Sequence, residues 1–421
     1  MLYTFKVLPL SLAIGTAFMA PQVFAAFIDD SHLSLETRNF YMNRDYRDAG
    51  LGDTPRHKGE SKAKAEDWGQ GFMLRYESGF TEGPVGFGAD ALGLLGVKLD
   101  SGGGTSGTGA LQVQRDGEVS DEFGFVGATA KARIGKSVLT LGTHAPTLPV
   151  AFRNDTRLLP QTFEGAQLVS NDIDRLTLTG GQFRGTRLRN STDYEDMSMF
   201  ADGASGGVAS DRFNYGGASY AALANLTISY FYAELGDNYH QHYGNILHSL
   251  PLTDALTLKS DIRYFHSGDE GRSTVDNRNL GAMFTLAYRG HALGLDYQNQ
   301  SGDTGMPFIA GGTDPWTLNT VTYHHFLRAK EDSWQLRYDY DFAAIGLPGL
   351  TLMTRYVSGD NFTIAGQAAK EWERNLDIGY VVQSGPLKNL SLRWRNVTYR
   401  GSHTTDLDEN RLIIGYTFKF W

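Results

Sequence analysis

The chain has 421 residues, no cysteine and a formal net charge of −9 at pH 7. The lack of cysteine excludes a disulfide framework and thiol catalysis. The acidic balance argues against nucleic acid as a partner, because binding phosphate requires a positively charged surface.

The N-terminal segment is predicted to be a signal peptide. Lys6 precedes an apolar stretch, residues 7–20, which is too short to span a bilayer with margin. Small residues follow at Ala25 and Ala26, a plausible cleavage site. We therefore expect residues 1–26 to be removed and residues 27–421 to form a single domain, with an uncleaved membrane anchor as the alternative.

Downstream, the sequence contains no run of about eighteen apolar residues, which argues against a helical membrane protein. Apolar and polar residues alternate instead, as in strands that have one apolar face. The clearest case is residues 411–421, where Leu412, Ile414 and Phe418 share one face while Ile413 and Trp421 fall out of phase. The same alternation occurs in residues 226–233, 256–263, 293–298, 334–342, 350–356 and 376–382.

Short and long connections separate these segments. Short turns are predicted at 133–136, 289–291 and 384–386, and long loops at 47–67, 99–121, 144–163, 189–212 and 301–332. An outer-membrane barrel has short turns at one rim and long loops at the other, and 24 Phe and 21 Tyr would supply its aromatic girdles. The predicted fold is an all-β, transmembrane antiparallel barrel of about eighteen strands. A soluble sandwich or β-helix is the alternative.

Basic residues recur on the polar face of these strands. Arg393 and Arg395 point the same way about 7 Å apart, and such like charges repel each other. The predicted basic ladder comprises Lys131, Arg133, Lys259, Arg263, Arg337, Arg355, Arg393, Arg395 and Arg411. Arg374 has the opposite parity and should point outward. The alternative is that each base pairs with an inward carboxylate, such as Asp261, Asp339, Asp341 or Asp377, and only braces the barrel.

These features predict a channel for passive, selective uptake of small carboxylates, since a row of weak sites allows a solute to step through without being trapped. A general diffusion pore is a second hypothesis, and an outer-membrane hydrolase is a third. Candidate hydrolase residues are His144, His248 beside Ser249, and the pair His324 and His325, but no nucleophile elbow or metal-binding helix accompanies them. We expect no cofactor and no metal.

Several segments resemble the OprD-type substrate-specific porins. They are FIDDSHLSLETRNFYMNRDY (27–46), TLPVAFRNDTRLLPQTFEG (147–165), residues 391–396 and the final strand, 411–421. The resemblance implies a largely monomeric barrel of about eighteen strands in the lipid and lipopolysaccharide of a bacterial outer membrane. It also implies that the basic ladder guides carboxylates through a narrow waist, which the third and seventh long loops form by folding inward.

In this chain those loops would be 144–163, stiffened by Pro146, Pro149 and Pro160, and 301–332. They supply Arg153, Arg157, Asp303 and Asp314 as candidate residues of the waist. The family has a branch for basic amino acids and a branch for simple carboxylates, and we favour the second.

Overall fold

The computed structural model of the protein describes residues 27–47 and 63–421. The predicted signal peptide, residues 1–26, lies outside the described residues. Within the described ranges, no helix combines the length and the apolar character needed to cross a membrane.

The protein folds as one 18-stranded sheet in which each strand pairs with the next along the chain. The first strand, β1, also pairs antiparallel with the last, β18, so the sheet closes into a barrel. Closure gives every strand two neighbours. It therefore leaves no edge strand whose backbone N–H and C=O groups would face lipid without a hydrogen-bond partner. Strands β1 to β18 span, in order, His32–Tyr46, Lys64–Glu77, Gly86–Asp100, Glu122–Ile134, Ser137–His144, Thr162–Ser170, Leu176–Arg187, Phe213–Leu223, Leu226–Leu235, Tyr239–Pro251, Leu256–Asp269, Asp276–Tyr288, His291–Ser301, Asp332–Asp341, Leu350–Ile364, Gln367–Val381, Ser391–Gly401 and Leu407–Lys419.

The predicted long loops 99–121, 144–163, 189–212 and 301–332 lie at one rim, but the same rim also carries very short connections, and the predicted short turn 384–386 spans residues 382–390 at the other rim. Loop 1 joins β1 to β2, and its residues 48–62 lie outside the described residues. The rim where it begins and ends carries loops 2 to 9, which are residues 101–121, 145–161, 188–212, 236–238, 270–275, 302–331, 365–366 and 402–406. The other rim carries turns such as 135–136, 224–225 and 289–290. The longer loops belong to the extracellular rim of an outer-membrane barrel. The predicted all-β antiparallel barrel is confirmed.

The outer face is apolar, as the alternation predicts. Leu336, Trp394, Leu412 and Phe418 are exposed on the outside of the barrel, where lipid would cover them. Arg374 also points outward, where it donates to Asn396 and Thr398 on the neighbouring strand.

The inner face is less uniformly polar than the sequence suggested. On the inside of β6 to β11, buried rings form an inner aromatic cluster, in which the centroids of Phe183 and Tyr215 lie 4.8 Å apart and those of Tyr243 and Phe265 lie 4.7 Å apart. Loops 3, 4 and 7 pack apolar residues onto this cluster, among them Val150, Met197, Met306, Ile309 and Leu327. Each fully buried side chain of this kind stabilises the packing by about 1.5–3 kcal/mol. The extracellular loops are therefore drawn into the barrel.

A second inner apolar cluster lies on β1 to β4. It contains Phe40, Met42 and Met73 from the strands and packs against Leu111 of loop 2 and Leu158 of loop 3. Ile413, which is out of phase in the sequence, points inward and packs against this cluster. The interruption of the alternation at Ile413 therefore lies where the inner wall contacts loops 2 and 3.

Gly71 on β2 provides the space for loop 3. A Cβ atom at this position would lie 3.0 Å from the carbonyl oxygen of Leu158 and 3.2 Å from its Cδ1. We predict that Gly71→Val leaves the barrel intact but displaces loop 3, so that trypsin cleaves faster at the buried Arg157. Overpacking costs about 1–3 kcal/mol, and one or two kcal/mol changes a population about 5- to 30-fold.

Gly244→Val is the matched control, because a Cβ atom there meets nothing within 4 Å. Both variants should keep the heat-dependent electrophoretic mobility of a folded barrel. Equal trypsin sensitivity of the two variants would show that Gly71 does not hold loop 3 in place.

Candidate functional site

The five C-terminal members of the predicted basic ladder lie on β14, β15, β17 and β18 and point into the barrel. Arg337 on β14 is directly opposite Arg355 on β15, and Arg395 on β17 is directly opposite Arg411 on β18. Arg393 precedes Arg395 by two residues and lies on the same face of β17. Like charges directly opposite each other destabilise a sheet. Other groups must therefore offset this repulsion.

Asp377 on β16 offsets part of it. Arg393 donates to Asp377 through two bonds, Nε to Oδ1 at 2.7 Å and Nη2 to Oδ2 at 2.6 Å. The Nε of Arg395 donates to the same Oδ2 at 2.8 Å. Two guanidinium groups thus share one carboxylate, and the three side chains keep a net positive charge. The Arg393 side chain is 46% exposed toward the lumen.

Glu409 on β18 is shared in a similar way. It accepts from the Nε of Arg411 at 2.5 Å and from the Nη2 of Arg44, on β1, at 2.7 Å. Arg411 is only 1% exposed, because its other nitrogens donate to the carbonyl oxygens of Thr156 in loop 3 (3.4 Å) and Thr322 in loop 7 (2.9 Å). Arg411 therefore joins both inward-folded loops to the barrel wall.

Arg337 and Arg355 differ in their partners. Arg337 is paired with Asp339, two residues away on the same face, at 2.7 Å. Arg355 donates instead to neutral groups, the Oδ1 of Asn375 at 2.6 Å and the Oγ1 of Thr322 at 3.2 Å. The charge of Arg355 is thus not neutralised by its hydrogen-bond partners.

The other four predicted bases lie on more distant parts of the wall. Lys131 pairs with Asp90 at 2.5 Å, and the guanidinium of Arg133 lies 4.4 Å from the ring centre of Phe80. Both are close to the periplasmic rim. On β11, Arg263 pairs with Asp261 and donates to the carbonyl oxygen of Trp316 in loop 7 at 2.9 Å, and Lys259 lies further toward the same rim.

Three of the four carboxylates considered as braces do pair with ladder residues. They are Asp261, Asp339 and Asp377. Asp341 instead accepts from the backbone N–H of Ala343 at the start of a 3₁₀ turn. Bracing and a net positive wall therefore coexist, because some carboxylates serve two bases.

Loops 3 and 7 meet inside the barrel. The Nδ2 of Asn154 donates to Asp314 at 2.8 Å, the backbone N–H of Asp314 donates to the carbonyl of Phe152 at 3.1 Å, and the rings of Phe152 and Trp316 lie 4.6 Å apart. This contact fixes one loop against the other. Both loops fold inward, as the resemblance implied.

The four candidate residues of the waist occupy different places. Asp314 lies at the junction of the loops, and burial raises its pKa to about 6 despite the nearby Arg189 and Arg157. Arg157 is buried and donates to Thr108 in loop 2 at 3.1 Å. Arg153 donates to the carbonyl of Ala145 within loop 3. The side chain of Asp303 is 84% exposed and pairs with Lys330.

Sequence reasoning missed the contribution of the first strand. Arg38 and Arg44 point inward from β1, which closes the barrel next to β18. Arg38 donates to Asp155 of loop 3 at 2.7 Å and is paired with Glu36. The parity of β1 could have revealed both bases, but the inward Phe40 and Met42 hide the polar face between them.

The histidines considered for hydrolysis are dispersed. His144 lies at the end of β5, His248 lies near the opposite rim beside Asn225, and His324 and His325 lie in loop 7. Within residues 27–47 and 63–421, no cluster of three or more histidine or carboxylate side chains has the geometry to hold a metal ion.

Comparison with known proteins agrees with this geometry. The family model described as "outer membrane porin, OprD family" matches residues 25–420. The porin-like protein GalP of Pseudomonas putida is 39% identical over 413 residues, which cover 96% of each chain. The crystal structure of OpdQ from Pseudomonas aeruginosa has a TM-score of 0.84 and 49% identity, and covers 94% of this chain and 100% of that one. OpdK of the same organism, solved with vanillate, has a TM-score of 0.86 and 38% identity, with the same coverage.

These relatives are channels, so the hydrolase hypothesis is not supported. The match extends over nearly the whole barrel, including both inward-folded loops. This chain therefore belongs to the OprD family of outer-membrane porins, and it is a substrate-specific channel for small solutes in the bacterial outer membrane.

Proposed function

We propose that the channel selectively passes small carboxylates along the basic ladder. The observation that carries this proposal is the group formed by Arg393, Arg395 and Asp377, in which two bases share one acid and one base is well exposed to the lumen. A carboxylate arriving at this wall meets a net positive charge and planar donor groups that fit it.

The spacing of the bases suits conduction. A carboxylate about 5 Å from one guanidinium gains up to about 3 kcal/mol at an effective dielectric near 20. Water in the lumen and the shared carboxylates reduce this gain at each step. A row of weak sites on neighbouring strands lets the solute pass from one base to the next without being trapped. In this proposal the sites run along Arg337, Arg355, Arg393, Arg395 and Arg411, while Lys131, Arg133, Lys259 and Arg263 attract anions elsewhere along the lumen.

The bound vanillate of the relative OpdK supports the same class of solute, because vanillate is an aromatic carboxylate. The same test distinguishes two other functions. A basic-amino-acid channel would favour lysine or arginine over simple acids, and a general pore would discriminate by size alone. We also propose that the channel works as a monomer and that lipopolysaccharide surrounds it in the membrane.

The main test is the double substitution Arg393→Ala with Arg395→Ala. It removes two positive charges and leaves Asp377 without these partners, so the local charge changes from net positive to net negative. We expect benzoate flux into liposomes to fall about tenfold or more, equivalent to about 1.4 kcal/mol. The anion preference in planar-bilayer reversal potentials should fall with it.

Arg374→Ala is the matched control, because this arginine on β16 points to the outside of the barrel. It should leave flux and reversal potential unchanged. Benzamide, a neutral compound of similar size, should pass equally through all variants. Unchanged benzoate selectivity in the double variant would rule out the ladder as the basis of selectivity.

A second prediction concerns pH. The pKa of Asp314 is raised to about 6 by burial, so this group is ionised at pH 7.5 and protonated at pH 5. Loss of a negative charge beside Arg157 should increase anion preference as pH falls. At about 7 Å in water one charge contributes about 0.6 kcal/mol, or roughly threefold.

Asp314→Asn should show the high anion preference already at pH 7.5 and a correspondingly smaller change at pH 5. The measurement is the reversal potential in a salt gradient at both pH values. An identical pH response in wild type and Asp314→Asn would mean that another group causes the response.

A further inference from the structure

The C-terminal limb of loop 7, residues 322–331, is fastened to β16 by buried carboxylates. Glu373 accepts hydrogen bonds from the backbone N–H groups of Tyr323, at 3.0 Å, and His324, at 2.8 Å. This limb carries Thr322, which contacts both Arg355 and Arg411. The groups that hold this limb therefore set where loop 7 meets the part of the barrel wall that carries Arg355 and Arg411, called the basic wall below.

Glu371, two residues before Glu373, is a second anchor. It is 1% exposed and accepts from the hydroxyl of Tyr399 on β17 at 2.5 Å. Its Oε1 lies 2.7 Å from the Nε2 of His324 and 3.5 Å from the Nε of Arg328. The carboxylate is thus surrounded by groups from β17 and from the limb of loop 7.

Glu331, at the end of the limb, is fully buried beside Glu371. Its Oε2 accepts from the backbone N–H of Arg328 at 3.0 Å. Its Oε1 fills the space above Gly359, where a Cβ atom would lie 2.0 Å away, and Gly359 is directly opposite Glu371 in the sheet register. In the part of the chain that the structure describes, this Oε1 has no hydrogen-bond donor.

Two buried carboxyl groups in direct contact cannot both ionise without a large cost. Burial raises the pKa of Glu331 well above its usual range, and the neighbouring Glu371 raises it further. Arg328 is the nearest permanent cation, and it also faces Asp202 of loop 4 at 3.7 Å. A proton on this Oε1 would make it a donor to the Glu371 carboxylate and so give the unpartnered oxygen a hydrogen bond.

We propose that Glu331 and Glu371 share one proton and that this proton positions the limb of loop 7 against the basic wall. Glu331 is thus a positioning residue, and it acts on the waist through Thr322 without contacting the solute. The device works for any solute and does not depend on carboxylate selectivity.

The two buried carboxyl groups fit together when they share a proton, and this sets the direction of the pH effect. Below the raised pKa the proton is present and the limb is held. As pH rises through that pKa the proton is lost, and the two carboxylates repel each other. The ionised fraction grows about tenfold per pH unit until ionisation is complete. His324, Arg328 and Tyr399 also face this pair of carboxyl groups, and all three are common to every variant compared.

The experiment is single-channel recording between pH 5 and pH 10, which covers the range above the usual pKa of a carboxyl group. In wild type we expect brief current fluctuations to increase about tenfold per pH unit at first, following the ionised fraction. Glu331→Gln should remain quiet throughout, because the amide can donate to Glu371 while its oxygen still accepts from Arg328. Glu118→Gln is the matched control, an exposed glutamate of loop 2, and it should behave as wild type.

Gly359→Ala provides an independent test, because the added methyl group would displace the Glu331 carboxyl. It should fluctuate at every pH, including pH 7. An alkaline increase of the same size in wild type and Glu331→Gln would overturn the proposal, as would a quiet Gly359→Ala. Reversal potentials recorded in the same traces report carboxylate selectivity separately, so the failure of one proposal is distinguishable from the failure of the other.

Discussion

The organisation of this porin depends on the burial of loop side chains against apolar patches on the inside of the barrel. Val150, Met197 and Ile309 from loops 3, 4 and 7 lie on the aromatic rings of β6 to β11. On the other side, Leu158 lies in the space that Gly71 leaves open. Hydrophobic burial of this kind is the dominant favourable contribution to folding, and it holds long extracellular loops inside a lumen that they would otherwise leave open. Once they are inside, loops 3 and 7 reach the basic wall.

The basic wall is stabilised without being neutralised. Asp377 serves Arg393 and Arg395, and Glu409 serves Arg44 and Arg411. Each carboxylate offsets the repulsion between two guanidinium groups, which alone would weaken the sheet. One unit of positive charge remains in each group. Structural pairing and the net positive charge of the wall therefore arise from the same side chains.

Much of the barrel could be predicted from the sequence, because lipid requires an uninterrupted apolar outer face. That requirement fixed the parity of β18 and placed Arg393 and Arg395 inside and Arg374 outside. The inner face has no such uniform solvent. Phe231 shares its face of β9 with the polar Thr227 and Ser229 and is buried inside the barrel. On β1, the inward Phe40 and Met42 conceal Arg38 and Arg44. Loop contacts such as that between Asn154 and Asp314 join residues far apart in the chain, and no local pattern in the sequence encodes them.

The double engagement of Asp377 has a kinetic consequence for transport. The Nε and Nη2 donors of Arg393, which form its bidentate edge, are already occupied by Asp377 before any solute arrives. On the transport path proposed above, an anion that takes this bidentate edge of Arg393 exchanges with Asp377 rather than filling an empty site, and when it moves on, the internal acceptor takes its place again. Residence is shortened at each such exchange, because departure never leaves a bare guanidinium behind. A wall built in this way favours turnover over affinity.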